Sequence, residues 1–138
     1  MLTRRDTLAI GLGVSAVAML PVTASATPVD DAIAAFTGGA DMADSGVTIT
    51  APEIAENGNT VPITIEAEGA SEIMIIATGN PTPGVGRFMF GEASGSSLIA
   101  TRMRLGRTQD VMAIAKLADG SYASTQVEVK VTIGGCGG

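Results

Sequence analysis

Residues 126–133, QVEVKVTI, change polarity at every step: Val127, Val129, Val131 and Ile133 are apolar, and Gln126, Glu128, Lys130 and Thr132 are not. Successive side chains of a strand point to opposite faces. This alternation therefore predicts an antiparallel strand with one face on a core and the other in water.

The same period of two recurs upstream. VTIT (47–50) and VPITIEAE (61–68) alternate on either side of PEIAENGNT, where Asn57-Gly58 is a strong turn signal. EIMIIAT (72–78) is continuously apolar, the pattern of a strand covered on both faces. RFMFGE, SLIATRMRL and QDVMAIAKLAD complete the set, joined by glycine-containing turns such as Asp119-Gly120. NPTPGVG (80–86) reads as a proline and glycine loop excluded from strand interiors. About seven short strands with turns at regular spacing predict an all-β, immunoglobulin-like antiparallel sandwich. Ahead of them, PVDDAIAAFTGG (28–39) predicts one short helix with Asp30 as N-cap, Ile33 and Phe36 on its apolar side, and Gly38-Gly39 as its stop. A single β-sandwich domain over 27–133 is expected, followed by a flexible arm at 134–138.

The first 26 residues follow the layout of an export signal. Arg4 and Arg5 supply the charged region, residues 8–20 the apolar region, and Ala24-Ser25-Ala26 a cleavage site, so the exported chain should begin near Thr27. The apolar run is about a dozen residues against the roughly 20 that span a bilayer, so no membrane span is expected in the mature form. Arg4-Arg5 after Thr3 resembles a twin-arginine signal, with Thr7 and Ala9 where phenylalanine and lysine are common. A general secretory signal carrying two arginines is the alternative. Twin-arginine export moves folded cargo, either with a cofactor already inserted or with a partner in complex. A chain without histidine and with one cysteine points to the partner.

Without residues 1–26 the chain keeps 6 basic and 13 acidic side chains. That surplus argues against nucleic acid, whose phosphates need Lys and Arg, and against a free-standing site for a small anion. The absence of histidine removes Ser-His-Asp and Cys-His catalysis and the imidazole metal sites. Asp30-Asp31 and the pair Glu66 and Glu68 have no signature of acid–base chemistry, and a helix cap and a solvated face explain them. Met74, Met89, Met103 and Met112 read as gap-fillers in a core whose only rings are Phe36, Phe88, Phe90 and Tyr122, rather than as a copper site. No cofactor and no metal are expected. Arg87, Arg102, Arg104 and Arg107 form the one basic cluster in the sequence, with Arg102 and Arg104 projecting together from their strand. They are either a solvated face or a contact surface for a partner.

Cys136 is the single cysteine, in GGCGG at 134–138. No internal disulfide can form, which leaves a thiol exposed to oxidation in an oxidising compartment. Gly134, Gly135, Gly137 and Gly138 clear the neighbourhood of side chains and leave the backbone its widest freedom. Three residues of extended chain carry the sulfur roughly 10 Å beyond Ile133. No Lys, Arg or His adjoins the thiol, and a carboxylate two residues on disfavours the thiolate. Cys136 thus reads as a point of covalent attachment, activated by whatever receives it.

The tail, together with DDAIAAFTGGA, APEIAENGNTVPITIEAE, NPTPGVGRF and TRMRLGRTQDVMAIAKLADG running to VEVKVTIGGCGG, resembles the SoxY family, the sulfur carriers of the bacterial sulfur-oxidising system. The resemblance implies a periplasmic carrier paired with a second small β-sandwich subunit, SoxZ. It implies that Cys136 holds sulfur intermediates covalently. A c-type cytochrome pair (SoxAX) would join thiosulfate to it as a cysteine S-thiosulfonate, a manganese hydrolase (SoxB) would release sulfate, and in some organisms a sulfane dehydrogenase (SoxCD) would oxidise the remaining persulfide. The carrier itself is then no enzyme.

Two rivals stand beside this reading. A ubiquitin-like carrier uses a Gly-Gly thiocarboxylate charged by adenylylation in the cytoplasm, which an export signal contradicts. An exported, non-catalytic binding module dimerised through Cys136 would keep its function in Cys136→Ser if its dimers were held otherwise.

Overall fold

Residues 27–133 are described by the computed structural model, and they open with a helix, α1 (Pro28–Thr37). Its N-cap is Thr27, one turn before the Asp30 expected in that role. The Thr27 hydroxyl accepts the Asp30 N–H (3.2 Å), and the Asp30 carboxylate accepts the Thr27 N–H (3.1 Å), a reciprocal capping box. Gly38 ends the helix at φ 66°, a left-handed conformation in which a Cβ is strained.

Nine strands follow: β1 (Met42–Ala43), β2 (Thr48–Thr50), β3 (Ile54–Ala55), β4 (Val61–Glu66), β5 (Ala70–Ala77), β6 (Gly84–Met89), β7 (Leu98–Met103), β8 (Gln109–Leu117) and β9 (Tyr122–Val131). The large sheet runs β1-β9-β8-β5-β6, with β3 also on β9, and the small sheet runs β2-β4-β7. The architecture is the expected immunoglobulin-like sandwich. Its long pairings are all antiparallel, while β1 and β3 add two-residue parallel pairings to the two ends of β9.

The periodicity of each strand decides where it packs. Ile63 and Ile65 from the small sheet meet Ile73, Ile75, Val111, Ala113 and Val129 from the large one, all fully or nearly fully buried. The continuously apolar β5 is covered on both sides: Ile73 and Ile75 enter this core, while Ile76 turns outward with Ile114 beneath Phe36 of α1. Phe36 meets the Tyr122 ring edge-on, with centroids 5.7 Å apart. The result is three layers, helix, large sheet and small sheet.

Three further sequence expectations change. NPTPGVG does not stay out of strands, because β6 already starts at Gly84; as an edge strand it pairs on one side only, and its ladder slips between Ile75 and Ile76. Met89 is 75% exposed and fills no gap, because it sits on the outer face of that edge strand; Met103 is in the core, and Met74 and Met112 pack beneath α1. Ile133 leaves the β9 alternation and is 68% exposed, because the strand ends at Val131.

Candidate functional site

The C-terminal end of β9 is held by contacts from three directions. On one flank Lys130 N–H donates to the Glu53 carbonyl (3.0 Å) and Thr132 N–H to the Ala55 carbonyl (3.1 Å), continuing the β3 ladder past the end of the strand. The Thr132 hydroxyl adds a bond to the Glu56 carbonyl (3.2 Å). On the other flank Val131 N–H donates to Thr108 Oγ1 (2.9 Å). Gly58 joins the two sheets here: its N–H donates to the Ile133 carbonyl (2.8 Å), and its carbonyl accepts the Leu105 N–H (2.7 Å). Asn57-Gly58, read as a turn, is therefore also a link between the small sheet and the last described residue.

A polar network stiffens the adjoining loops. Gln109 is 7% exposed; its Oε1 accepts the Gly79 N–H (2.9 Å), and its Nε2 donates to Asn80 Oδ1 (2.8 Å) and the Arg107 carbonyl (3.0 Å). Asn80 in turn donates to the Arg104 carbonyl (2.8 Å) and accepts the Gly106 N–H (3.0 Å). Arg107 Nε donates to the Gly79 carbonyl (3.1 Å). Sequence reasoning missed Thr108, Gln109 and Asn80, since nothing in their spacing marks a buried network.

The four arginines do not form one patch. Arg87 lies on β6 beneath α1, where it pairs with Glu72 (Nε to Oε2 2.9 Å) and sits 5.2 Å from the Phe36 ring centre. Arg102 is on the outward face of β7, in the other sheet. The chain crosses between sheets after β6, which puts the two arginines on opposite outer faces of the sandwich. Arg104 and Arg107 lie instead on the β7–β8 loop at the root of residues 134–138, exposed, and among the described residues neither has a carboxylate in salt-bridge range.

Charge is divided along the sandwich. In the half nearest Ile133, Arg102, Arg104, Arg107 and Lys130 balance Glu53, Glu56, Asp110 and Glu128. In the far half Glu72 is paired with Arg87, and Asp41, Asp44, Glu66, Glu68, Glu92 and Asp119 face Lys116. The net negative charge thus sits away from the root. Glu66 and Glu68 border a shallow polar depression with Ser94, Ser96 and Ser97 at that far end. Among the described residues no three His, Cys, Asp or Glu side chains are grouped to hold a metal ion, and no helix is long and apolar enough to cross a membrane. Cys136, Gly134, Gly135, Gly137 and Gly138, and Arg4 and Arg5 of the expected export signal, lie outside the described residues.

Fold and root together define a small immunoglobulin-like β-sandwich whose last strand is anchored immediately before a lone-cysteine segment. The family model for sulfur oxidation protein SoxY matches residues 33–136, a span that reaches Cys136. The chain belongs to the SoxY family. It is similar to the sulfur carrier protein SoxY from Chlorobium limicola f thiosulfatophilum, at 37% identity and a TM-score of 0.68, covering 79% of this chain and all of that one. Superoxide reductase (neelaredoxin) from Ignicoccus hospitalis is 16% identical with a TM-score of 0.55, over 63% of this chain and 80% of its own. A putative superoxide reductase from Thermotoga maritima is also 16% identical, with a TM-score of 0.52 over 70% and 89%. These last two likenesses are of fold alone. No curated protein matches the chain.

Proposed function

We propose that this protein is a periplasmic sulfur carrier, working as a heterodimer with SoxZ, that holds thiosulfate-derived intermediates on Cys136 and presents them to the enzymes of a sulfur-oxidation cycle. One observation carries the reading. The family match runs to Cys136, and the chain three residues earlier is fastened through Thr132 and Ile133 to β3 and Gly58. A carrier needs a fixed base and a single attachment point, and Cys136 is the only cysteine. Fully extended, residues 134–136 reach at most about 10 Å from that base, enough to enter a partner's channel while the sandwich stays outside.

The chemistry is divided accordingly. In loading, the Cys136 sulfur bonds to the sulfane sulfur of thiosulfate, the thiol proton leaves, and two electrons pass to the cytochrome pair SoxAX. In unloading, water attacks the sulfonate sulfur under the manganese hydrolase SoxB; the S–SO3 bond breaks, releasing sulfate and leaving a persulfide on Cys136. Where SoxCD is present, it oxidises that persulfide further. The carrier supplies no acid, base or metal to these steps, and its part is attachment and delivery. The arginine signal Arg4-Arg5 fits export of the folded pair.

Intact-mass analysis of the protein recovered from thiosulfate-fed cells tests this reading. Sulfane or thiosulfonate adducts confined to Cys136, and absent in Cys136→Ser, are expected. An unmodified thiol during active sulfur oxidation refutes it.

A further inference from the structure

Asn57-Gly58 links the two sheets, and the pair also carries chemistry of its own. An asparagine side-chain amide can be attacked by the backbone nitrogen of the next residue, and glycine there has no side chain to hinder the attack and the freest backbone to reach it. Each polar group that bears on this reaction is placed by the fold. Asn57 is exposed and Gly58 is buried. Asn57 Oδ1 accepts the Asn59 N–H (3.0 Å), which folds the side chain forward along the backbone that contains the Gly58 nitrogen. The Asn57 carbonyl accepts the Thr60 N–H (3.4 Å) and closes the turn. The Gly58 nitrogen is occupied: its proton is donated to the Ile133 carbonyl (2.8 Å), while its own carbonyl accepts the Leu105 N–H (2.7 Å). Asp119-Gly120 is a pair of the same kind, but there the Gly120 N–H is held within its own turn, by the Leu117 carbonyl (3.0 Å). One pair is thus closed by a residue distant in sequence, the other by its neighbours.

We propose that Asn57 is a deamidation site gated by Ile133. The Gly58 nitrogen attacks only after losing its proton, and a buried N–H bonded to a carbonyl keeps it. When the end of β9 lifts from Gly58, hydroxide removes that proton and the nitrogen bonds to Asn57 Cγ. The Cγ–Nδ2 bond breaks, the side-chain nitrogen leaves as ammonia after taking a proton back from water, and a succinimide ring is left. Water then opens the ring at either carbonyl and leaves aspartate or isoaspartate at position 57; nothing is oxidised or reduced. Isoaspartate routes the main chain through the side-chain methylene and adds a backbone atom ahead of Gly58, so that Gly58 no longer meets Ile133 and Leu105 together. Either product adds a negative charge beside Glu56. The isoaspartate product makes a transient release of β9 permanent.

The test follows Asn57 in the full chain incubated in mildly alkaline buffer, by peptide mass for the exchange of amide for acid and by electron-transfer fragmentation to separate aspartate from isoaspartate. Hydrogen exchange at the Gly58 amide is followed in the same samples. Thr132→Pro deletes the bonds to the Ala55 and Glu56 carbonyls next to Ile133, and Thr108→Val deletes the acceptor of the Val131 N–H; both leave the residues of the turn unchanged. A lost hydrogen bond of ordinary strength raises the opened population several-fold, so deamidation should rise roughly tenfold in Thr132→Pro and about threefold in Thr108→Val, and be fastest in the urea-unfolded chain. Isomerisation of Asp119, which passes through the same ring with water leaving, should keep its wild-type rate in both variants. Deamidation of the native chain at the unfolded rate overturns the proposal. So does a rate at Asn57 that fails to follow Gly58 exchange across these samples, and so does an equal rise at Asp119, which would mean general loosening is responsible. None of these readouts involves Cys136 or sulfur metabolism, so the result stands apart from that of the carrier assay.

Discussion

Replacing Gln109 with leucine would preserve side-chain volume while deleting the centre of the network beneath the β7–β8 loop. Three hydrogen bonds are lost, to Gly79, Asn80 and Arg107, from a side chain that is 7% exposed. Each such bond contributes about 0.5–1.5 kcal/mol net, and the buried donors and acceptors left behind add desolvation cost. Asn80 Oδ1 keeps its bond from Gly106 N–H, which moderates the loss. A destabilisation of about 2–3 kcal/mol follows, equivalent to a fall in Tm of roughly 10–20 °C for a domain of this size. Urea unfolding followed by far-UV circular dichroism measures it, with the m-value unchanged if the native state keeps its compactness. Asn80→Ala alone and combined with Gln109→Leu closes a double-mutant cycle. Because the two side chains share a bond, their effects should depart from additivity by about 0.5 kcal/mol or more. A cost below about 0.5 kcal/mol for Gln109→Leu, the range of ordinary surface changes, would refute the claim that this side chain organises the loop.

The other expectations concern the helix layer and the acidic limit of stability. Phe36→Ala removes the edge-on contact with Tyr122, the platform under Arg87 and the cover over Ile76 and Ile114, at a cost of about 3–5 kcal/mol. Hydrogen exchange should show amides in α1 losing protection first, while β5 and β8 remain protected in the middle of the sheet. Hydrogen bonds from Thr27 hold the Asp30 carboxyl below the ordinary carboxylate range, and those from Ser121 do the same for Asp119. A lowered carboxylate contributes its stabilisation in full above the unfolded pKa and loses it as pH falls through the folded one. Asp30→Asn with Asp119→Asn should therefore flatten the acid side of the stability profile and matter least when the wild-type carboxyls are protonated; a profile parallel to wild type across that range would contradict the assignment.

Legibility in the sequence followed the amount of one-sided burial. The β9 alternation was readable because Val129 faces the core while Glu128 and Lys130 face water, and β5 was readable as doubly covered because both of its faces are apolar. The helix was readable, but its cap was placed on Asp30 because aspartate caps helices as readily as threonine. Which of the two residues caps depends on backbone angles, here Thr27 extended at φ −80° and ψ 160°. β1 and β3 left no signal, since a pairing of two residues has no period to detect. The arginines were grouped by closeness in sequence, and that closeness conceals the crossing from one sheet to the other between β6 and β7. Arg104 and Arg107 stayed together because a single short loop carries both. Cys136 stood out in the sequence by its isolation, whereas what holds the chain before it did not: Gly58 acts through backbone bonds that many residue types could make, and Thr108 through a hydroxyl that no spacing marks.

The parallel pairings that flank β9 bear on how the protein takes load. A strand at a sheet edge peels away one hydrogen bond at a time, whereas β9 lies between β8 on one side and β1 and β3 on the other. Ladder bonds in an antiparallel sheet run perpendicular to the strands. A tug transmitted along β9 therefore strains the ladder in shear, with many bonds resisting at once, and β3 and Gly58 act as a lashing at the point of highest tension. Pulled from its C-terminal end, β9 is in this geometry a spliced line instead of a zip.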